Sequence, residues 1–195
     1  RGASWGQDDS ILYAPSLGGG LWKGSVHGGD PRPVTTLDST RREMTHRWPH
    51  ILPGGRAALF TIRTADEPTF DKAEIAVVSL ATGKCWTLIR GGTNAQYLPT
   101  GHVVFARDQA LFAVPFDLAK LRVAGEPVRV LQGVSISPAT GAVGFAFASN
   151  GTMAYAPVPP DSHRAGLVHK DARGGLLSDF DAEGIFEDPR FSPDG

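Results

Sequence analysis

Apolar residues along this chain come in short runs without helical spacing. Ile11-Leu12-Tyr13, Ala57-Ala58-Leu59-Phe60, Val103-Val104-Phe105 and Met153-Ala154-Tyr155 are brief and rich in β-prone side chains. Runs of this length, bounded by turn residues, predict strands. Asp8-Asp9, Gly54-Gly55, Thr100-Gly101 and Asn150-Gly151 precede them, and Asp194-Gly195 stands at the end of the chain. Asn-Gly and Asp-Gly suit the two-residue hairpin turn, which needs positive φ. A third strand is expected at Leu21-Trp22, 75–78, 111–114 and Leu167-Val168, and a fourth at 34–37, 86–89 and 128–131. Only Phe116 to Val123 has a helical look, of one or two turns.

The pattern repeats. Ser4-Trp5-Gly6-Gln7-Asp8-Asp9, His50-Ile51-Leu52-Pro53-Gly54-Gly55, Gln96-Tyr97-Leu98-Pro99-Thr100-Gly101, Ala146-Phe147-Ala148-Ser149-Asn150-Gly151 and Arg190-Phe191-Ser192-Pro193-Asp194-Gly195 align without gaps. They end at 9, 55, 101, 151 and 195. A period near 46 with four strands per repeat is that of a propeller blade. The expected fold is therefore all-β: a β-propeller of about four four-stranded blades and the start of a fifth, part of a larger ring. The blades fall near 1–45, 46–92, 93–143 and 144–187, with a partial one at 188–195, and no second domain is expected.

Composition narrows the function without choosing it. Net charge is −1, so no global field favours nucleic acid or an anionic membrane. Cys85 is the only cysteine, which excludes an internal disulfide framework or a thiolate metal cluster. No apolar run is long enough to span a membrane. No dinucleotide fingerprint, EF-hand loop or zinc spacing appears, so no cofactor or metal is expected.

Candidate chemistry is sparse. Gly2-Ala3-Ser4-Trp5-Gly6 has the spacing of a nucleophile elbow, but it lies on a strand with no following helix. His169-Lys170-Asp171 lacks the Asn that a kinase catalytic loop carries five residues on, where Leu176 stands. Asn150-Gly151-Thr152 is a glycosylation sequon on an expected turn. His46, Trp48 and His50 alternate, so a regular strand would put them on one face, with the two His roughly 13 Å apart. That is too far for one metal ion unless the strand bends. Trp5, Ile51, Tyr97, Phe147 and Phe191 form a large apolar column, expected to be buried between blades. The preceding column, Ser4, His50, Gln96, Ala146 and Arg190, points to the opposite face of the innermost strand, near the channel. The candidate ligand-facing residues are thus Ser4, His50, Gln96 and Arg190, with His46 and Trp48. No catalytic residue is assigned, and the uncovered faces of a ring segment predict self-association.

The closing Phe191-Ser192-Pro193-Asp194-Gly195 resembles the opening of repeats in TolB-like propellers. Longer runs are similar to the C-terminal sensor region of certain bacterial Ser/Thr protein kinases. These are Gly2-Ala3-Ser4-Trp5-Gly6, Gly20-Leu21-Trp22, Leu37-Asp38, His46-Arg47-Trp48-Pro49, Ala95-Gln96-Tyr97-Leu98-Pro99-Thr100-Gly101-His102-Val103 and Ala113-Val114-Pro115-Phe116-Asp117. The resemblance covers nearly the whole chain. It implies a non-catalytic binding or sensor module on the periplasmic or extracellular face of a bacterial membrane, recognising a protein or small molecule. The chain holds neither a kinase domain nor a membrane span. Two other readings carry similar repeats: an accessory propeller of a prolyl-oligopeptidase-like hydrolase, and a TolB-like adaptor for envelope proteins.

Overall fold

The computed structural model describes residues 2–67, 69–148 and 152–158, and the backbone of strands at 165–170 and 176–184. These fall into two units, Arg1–Pro157 and Val158–Gly195. The first sheet is formed by β1 (Ala3–Trp5), β2 (Ser10–Tyr13), β3 (Trp22–Ser25) and β4 (Arg32–Pro33) in sequence order. The second follows the same path with β5 (Glu43–Ile51), β6 (Ala57–Thr64), β7 (Glu74–Ser79) and β8 (Cys85–Arg90). The third holds β9 (Thr93–Leu98), β10 (His102–Arg107), β11 (Ala110–Asp117), β12 (Arg122–Val123) and β13 (Val128–Gln132), where β12 and β13 both pair with β11. A hairpin of β14 (Phe145–Phe147) and β15 (Met153–Tyr155) completes the first unit. In the second unit, β16 (Ala165–Lys170) pairs antiparallel with β17 (Leu176–Gly184). Antiparallel sheets of four or five strands, with β5 flanked by β1 and β9, make this a partial β-propeller.

Alternation along the strands explains the continuous apolar runs. Residues 57–62 on β6 are all buried. Ala58, Phe60 and Ile62 pack with Leu12, Ala14 and Leu21 of the first sheet. Ala57 and Leu59 face the other way, onto Ala95, Val103 and Phe105 of the third. Val104 and Ala106 of β10 then meet Phe145, with Phe147 and Met153 against them. Each middle blade is thus apolar on both faces, which a half-solvated sheet is not.

Register settles which residues are equivalent. Trp5 pairs with Ile11, Tyr97 with Val103 and Phe147 with Met153, each across five intervening residues. Ile51 pairs with Ala58, so the second hairpin holds one residue more. Tyr13, Phe60, Phe105 and Tyr155 therefore occupy one position. Phe60 and Phe105 are fully buried there, against the preceding blade.

Three expectations are corrected. Trp5 is not buried: it is 65% exposed, because its column faces the preceding blade and no described residue precedes the first. Ile51, Tyr97 and Phe147 are half-buried against those neighbours, while Phe191 lies outside the described residues. The segment 116–123 is a hairpin, not a helix. Phe116 is buried in the core and pairs with Val123, and the Lys120 N–H donates to Asp117 Oδ1 at 3.0 Å. The first sheet's fourth strand is Arg32–Pro33 rather than 34–37. Beyond Pro33 the ladder gives way: the Val34 and Thr35 N–H groups both donate to the Leu21 carbonyl, and the Leu21 N–H donates to Thr35 Oγ1.

Candidate functional site

The innermost strands β5 and β9 carry bulges at matching places. Two residues, Trp48 and Pro49, stand opposite Phe60, and Asn94 and Ala95 stand opposite Phe105. Trp48 (φ 53°) and Asn94 (φ 54°) are left-handed, as is Gly2 (φ 122°) one repeat earlier. Bulges of this kind cluster at sheet rims and beside sites because they re-aim side chains. Here the bulge swaps faces. His46, opposite Ile62, points toward the first blade and meets Phe60 edge-on at 4.9 Å. His50, opposite Leu59, points toward the third. His46, Trp48 and His50 therefore do not share a face, as regular alternation had predicted.

The polar column joins blades. The Ile51 N–H donates to Ser4 Oγ at 2.9 Å, from the second blade to the first. The His50 ring bonds to the backbone of Tyr97, the same step one blade on. Burial holds His50 below the ordinary imidazole pKa, partly offset by that bond. Gln96 is half-buried and Ala146 exposed; Arg190 lies outside the described residues.

His46 sits in a buried network that sequence reasoning did not find. The Leu21 N–H donates to Thr35 Oγ1 at 2.8 Å, and that oxygen lies 2.7 Å from His46 Nδ1. His46 Nε2 lies 3.0 Å from Glu43 Oε2, which also accepts from the Asp38 N–H at 2.8 Å. Arg41 pairs with Glu43 at 3.1 Å and with Glu74. Glu74 further accepts from the Thr87 hydroxyl (2.6 Å) and from Arg90 (3.0 Å). Burial works against the Glu74 carboxylate, but Thr87 and the two arginines hold its pKa below the usual range. Burial is also the main influence on His46 and lowers its pKa against the pull of Glu43. The neutral Nε2–H tautomer fits every contact: Thr35 donates to Nδ1 and Nε2–H donates to Glu43.

Hydroxyl, imidazole and carboxylate in line is the connectivity of an acyl-transfer triad. Access is what this one lacks. Thr35 and His46 are both buried, and a side chain at Gly20 would strike the Thr35 carbonyl, so backbone already fills that approach. The arrangement fastens the 34–43 connection to β5. A bulge at Met44 brings Glu43 and His46 to the same side, although three residues apart on a regular strand would oppose them.

A second cluster gathers at the bulges. Trp48 Nε1 donates to the Thr140 carbonyl at 3.0 Å. The buried Arg47 donates to the Leu17 carbonyl (2.6 Å), to Thr140 (3.4 Å) and to Thr45 Oγ1 (3.0 Å), and stacks 5.3 Å from the Phe70 ring centre. The Thr93 hydroxyl donates to the Gly141 carbonyl at 3.1 Å. The segment 137–141, which leads to β14, is thereby stapled across the bulged ends of β5 and β9. A charged cavity of about 440 Å³ borders the first network, between Arg41, Asp66, Glu67, Lys72, Glu74 and Arg90. Among the described residues no group of His, Cys, Asp and Glu is placed to hold a metal ion, and no helix is long and apolar enough to cross a membrane.

This geometry defines a propeller whose inner polar residues serve its own joints. Solved structures agree on the fold. The chain is similar over its whole length to TolB from Acinetobacter baumannii, at TM-score 0.60 and 18% identity, and covers 46% of that chain. It is similar over 91% of its length to the calcium-binding protein regucalcin from Agrobacterium tumefaciens, at TM-score 0.53 and 16% identity, and covers 58% of that chain. It thus spans about half the length of both. No protein-family model and no curated protein matches it.

Proposed function

We propose that this chain is a non-catalytic binding module, the extracytoplasmic sensor propeller of a bacterial Ser/Thr protein kinase. One observation favours binding over catalysis: the nucleophile-like groups Ser4 and Thr35 are both engaged in structural hydrogen bonds. A catalytic hydroxyl needs a free approach for the reacting atom. The kinase assignment rests on the sequence resemblance, carried by runs such as His46-Arg47-Trp48-Pro49 and 95–103. An envelope adaptor is the second reading, favoured by the likeness to TolB along the full chain.

Two measurements test the proposal. The chain alone should give no turnover with ATP plus a protein substrate, or with esterase and peptidase reporters. Activity removed by Ser4→Ala, Thr35→Val or His46→Asn would overturn the non-catalytic reading. The coding sequence on either side decides the rest. An upstream kinase domain and membrane span support the sensor, a signal peptide without an enzyme supports the adaptor, and a downstream α/β-hydrolase domain refutes both.

A further inference from the structure

The crevice between the second and third blades is tied at both ends and hollow between them. At one end of β8, Trp86 Nε1 donates to the Leu121 carbonyl of the third blade at 3.3 Å. At the other, the Asp108 N–H of the third blade donates to Asp71 Oδ1 of the second at 2.9 Å. Between these ties lies a cavity of about 450 Å³, with β8 as one wall and the third blade as the other. Its apolar lining includes Ile89 and Val114, both buried, and Leu88 and Val123, both half-buried. The second blade packs on the first and third, and the third packs on the second and on the β14–β15 hairpin. The hollow is therefore a feature of an internal joint.

Three charged side chains line it, and they differ in how they are satisfied. Arg90 is paired with Glu74 at 3.0 Å. Arg107 lies over the Phe112 ring, 4.5 Å from its centre, and over Phe105 at 5.6 Å, and those two rings are themselves stacked. Stacking fixes the plane of the guanidinium and leaves its in-plane N–H donors for an acceptor. Glu126 stands exposed between β12 and β13. Among the described residues neither Arg107 nor Glu126 has an ion-pair partner, and they do not pair with each other. A guanidinium fork takes a carboxylate in bidentate fashion, and a carboxylate takes an ammonium. Two opposite charges that line one partly apolar cavity without meeting are the complement of a molecule that carries both. The volume is within the range of small-molecule sites.

We infer that this crevice binds a small aliphatic amino acid as its zwitterion. The ligand carboxylate lies on Arg107, its ammonium on Glu126 and its hydrocarbon part against Leu88, Val114 and Val123. Such a site gives the proposed binding module a ligand class and rests on that reading, not on attachment to a kinase.

Isothermal titration calorimetry on the full 195-residue chain tests the site, with two probes at up to about 10 mM. L-leucine holds the two charges close together and ε-aminocaproate holds them far apart; at least one should saturate a single site. The matching molecules that lack the ammonium (isocaproate, caproate) or the carboxylate (isoamylamine, amylamine) should each bind about tenfold more weakly, the scale of one charge-assisted pair. Glu126→Gln, at an exposed position, should cost the zwitterion about tenfold and erase its advantage over the acid without the ammonium. Arg107→Gln should erase the advantage over the amine, and Arg107→Lys, which keeps the charge but not the fork, should recover part of the loss. Arg122→Gln, on β12 but outside the cavity, should change nothing. Lack of saturation by both probes overturns the site. So does equal binding of the one-charge molecules, or an affinity untouched by Glu126→Gln. The non-catalytic reading is judged separately, by the turnover assays.

Discussion

Phe60→Ala is the sharpest perturbation of the fold. Phe60 is fully buried at the joint of the first and second blades, against Leu12, Leu21, Ile62 and Val78, with its ring edge-on to His46. Truncating a buried Phe costs about 3–5 kcal/mol, from lost transfer energy and from the cavity left behind. The rigid His46 network on one side and two sheets on the other restrict collapse, so the loss belongs in the upper half of that range. With a urea m-value of about 2 kcal/mol/M, the midpoint should fall by about 2 M. Phe105→Ala removes the equivalent ring from the joint of the second and third blades and should cost a similar amount. The two rings lie in separate clusters, so the double variant should be additive within about 0.5 kcal/mol. Val128→Ala, on an exposed edge strand, should shift stability by less than about 0.5 kcal/mol. The assay is urea unfolding followed by far-UV circular dichroism. A Phe60→Ala loss below about 1 kcal/mol, or one equal to that of Val128→Ala, would refute the one-position alignment of Tyr13, Phe60, Phe105 and Tyr155.

Burial lowers the folded-state pKa of both His46 and His50 below the unfolded value near 6.5. Their contribution to stability is therefore complete above pH 6.5 and is lost as the pH falls from there toward the folded values, because the unfolded chain takes up protons first. Chemical denaturation between pH 7.5 and 5 should show this slope, and His46→Asn should flatten it. Glu43→Ala leaves the Asp38 N–H and His46 Nε2 without their acceptor and should cost about 1–3 kcal/mol, read from the same midpoints. Gly20→Ala drives a methyl group into the Thr35 backbone and should destabilise by more than about 1 kcal/mol. Gly55→Ala, with open space around it, pays only for its positive φ, about 1 kcal/mol or less; equal effects of the two would contradict the packing at Thr35.

Strand order was legible because the repeat period and the turn pairs carry it. The partition of residues between blade faces was not. A gapless alignment places Leu59 beside Tyr13, yet the second hairpin holds one more residue and Phe60 takes that place. One inserted residue in a turn turns every later side chain to the other face. The same physics hid the site. His46 and His50 look alike from alternation, but the bulge at Trp48 and Pro49 sends them to different blades. Glu43 looks opposed to His46 until the bulge at Met44 brings them together. Thr35 gave no signal, because its role depends on a ladder that breaks after Pro33. Bulges are single-residue events without a fixed sequence signature; only a structure shows their sum.

Apolarity on both faces has a consequence for any part of this fold. A sandwich sheet can end in solvent with a polar outer face, but a blade is built from strands whose residues alternate between two neighbours. In β6, Ala57 and Leu59 serve one joint while Ala58, Phe60 and Ile62 serve the other. Thr61 is the one polar residue of the buried run 57–62, and its hydroxyl accepts from the Asn94 N–H of the next blade at 3.1 Å. Polar groups also enter at β1 and β5, where Ser4 and His50 each bond to the backbone of the following blade. Such a bond gives a joint direction as well as strength, since a hydroxyl or imidazole on one blade meets backbone on the next and not the reverse. The two-sided code of a blade assigns Trp5 to the face turned away from the second blade, and there it is exposed.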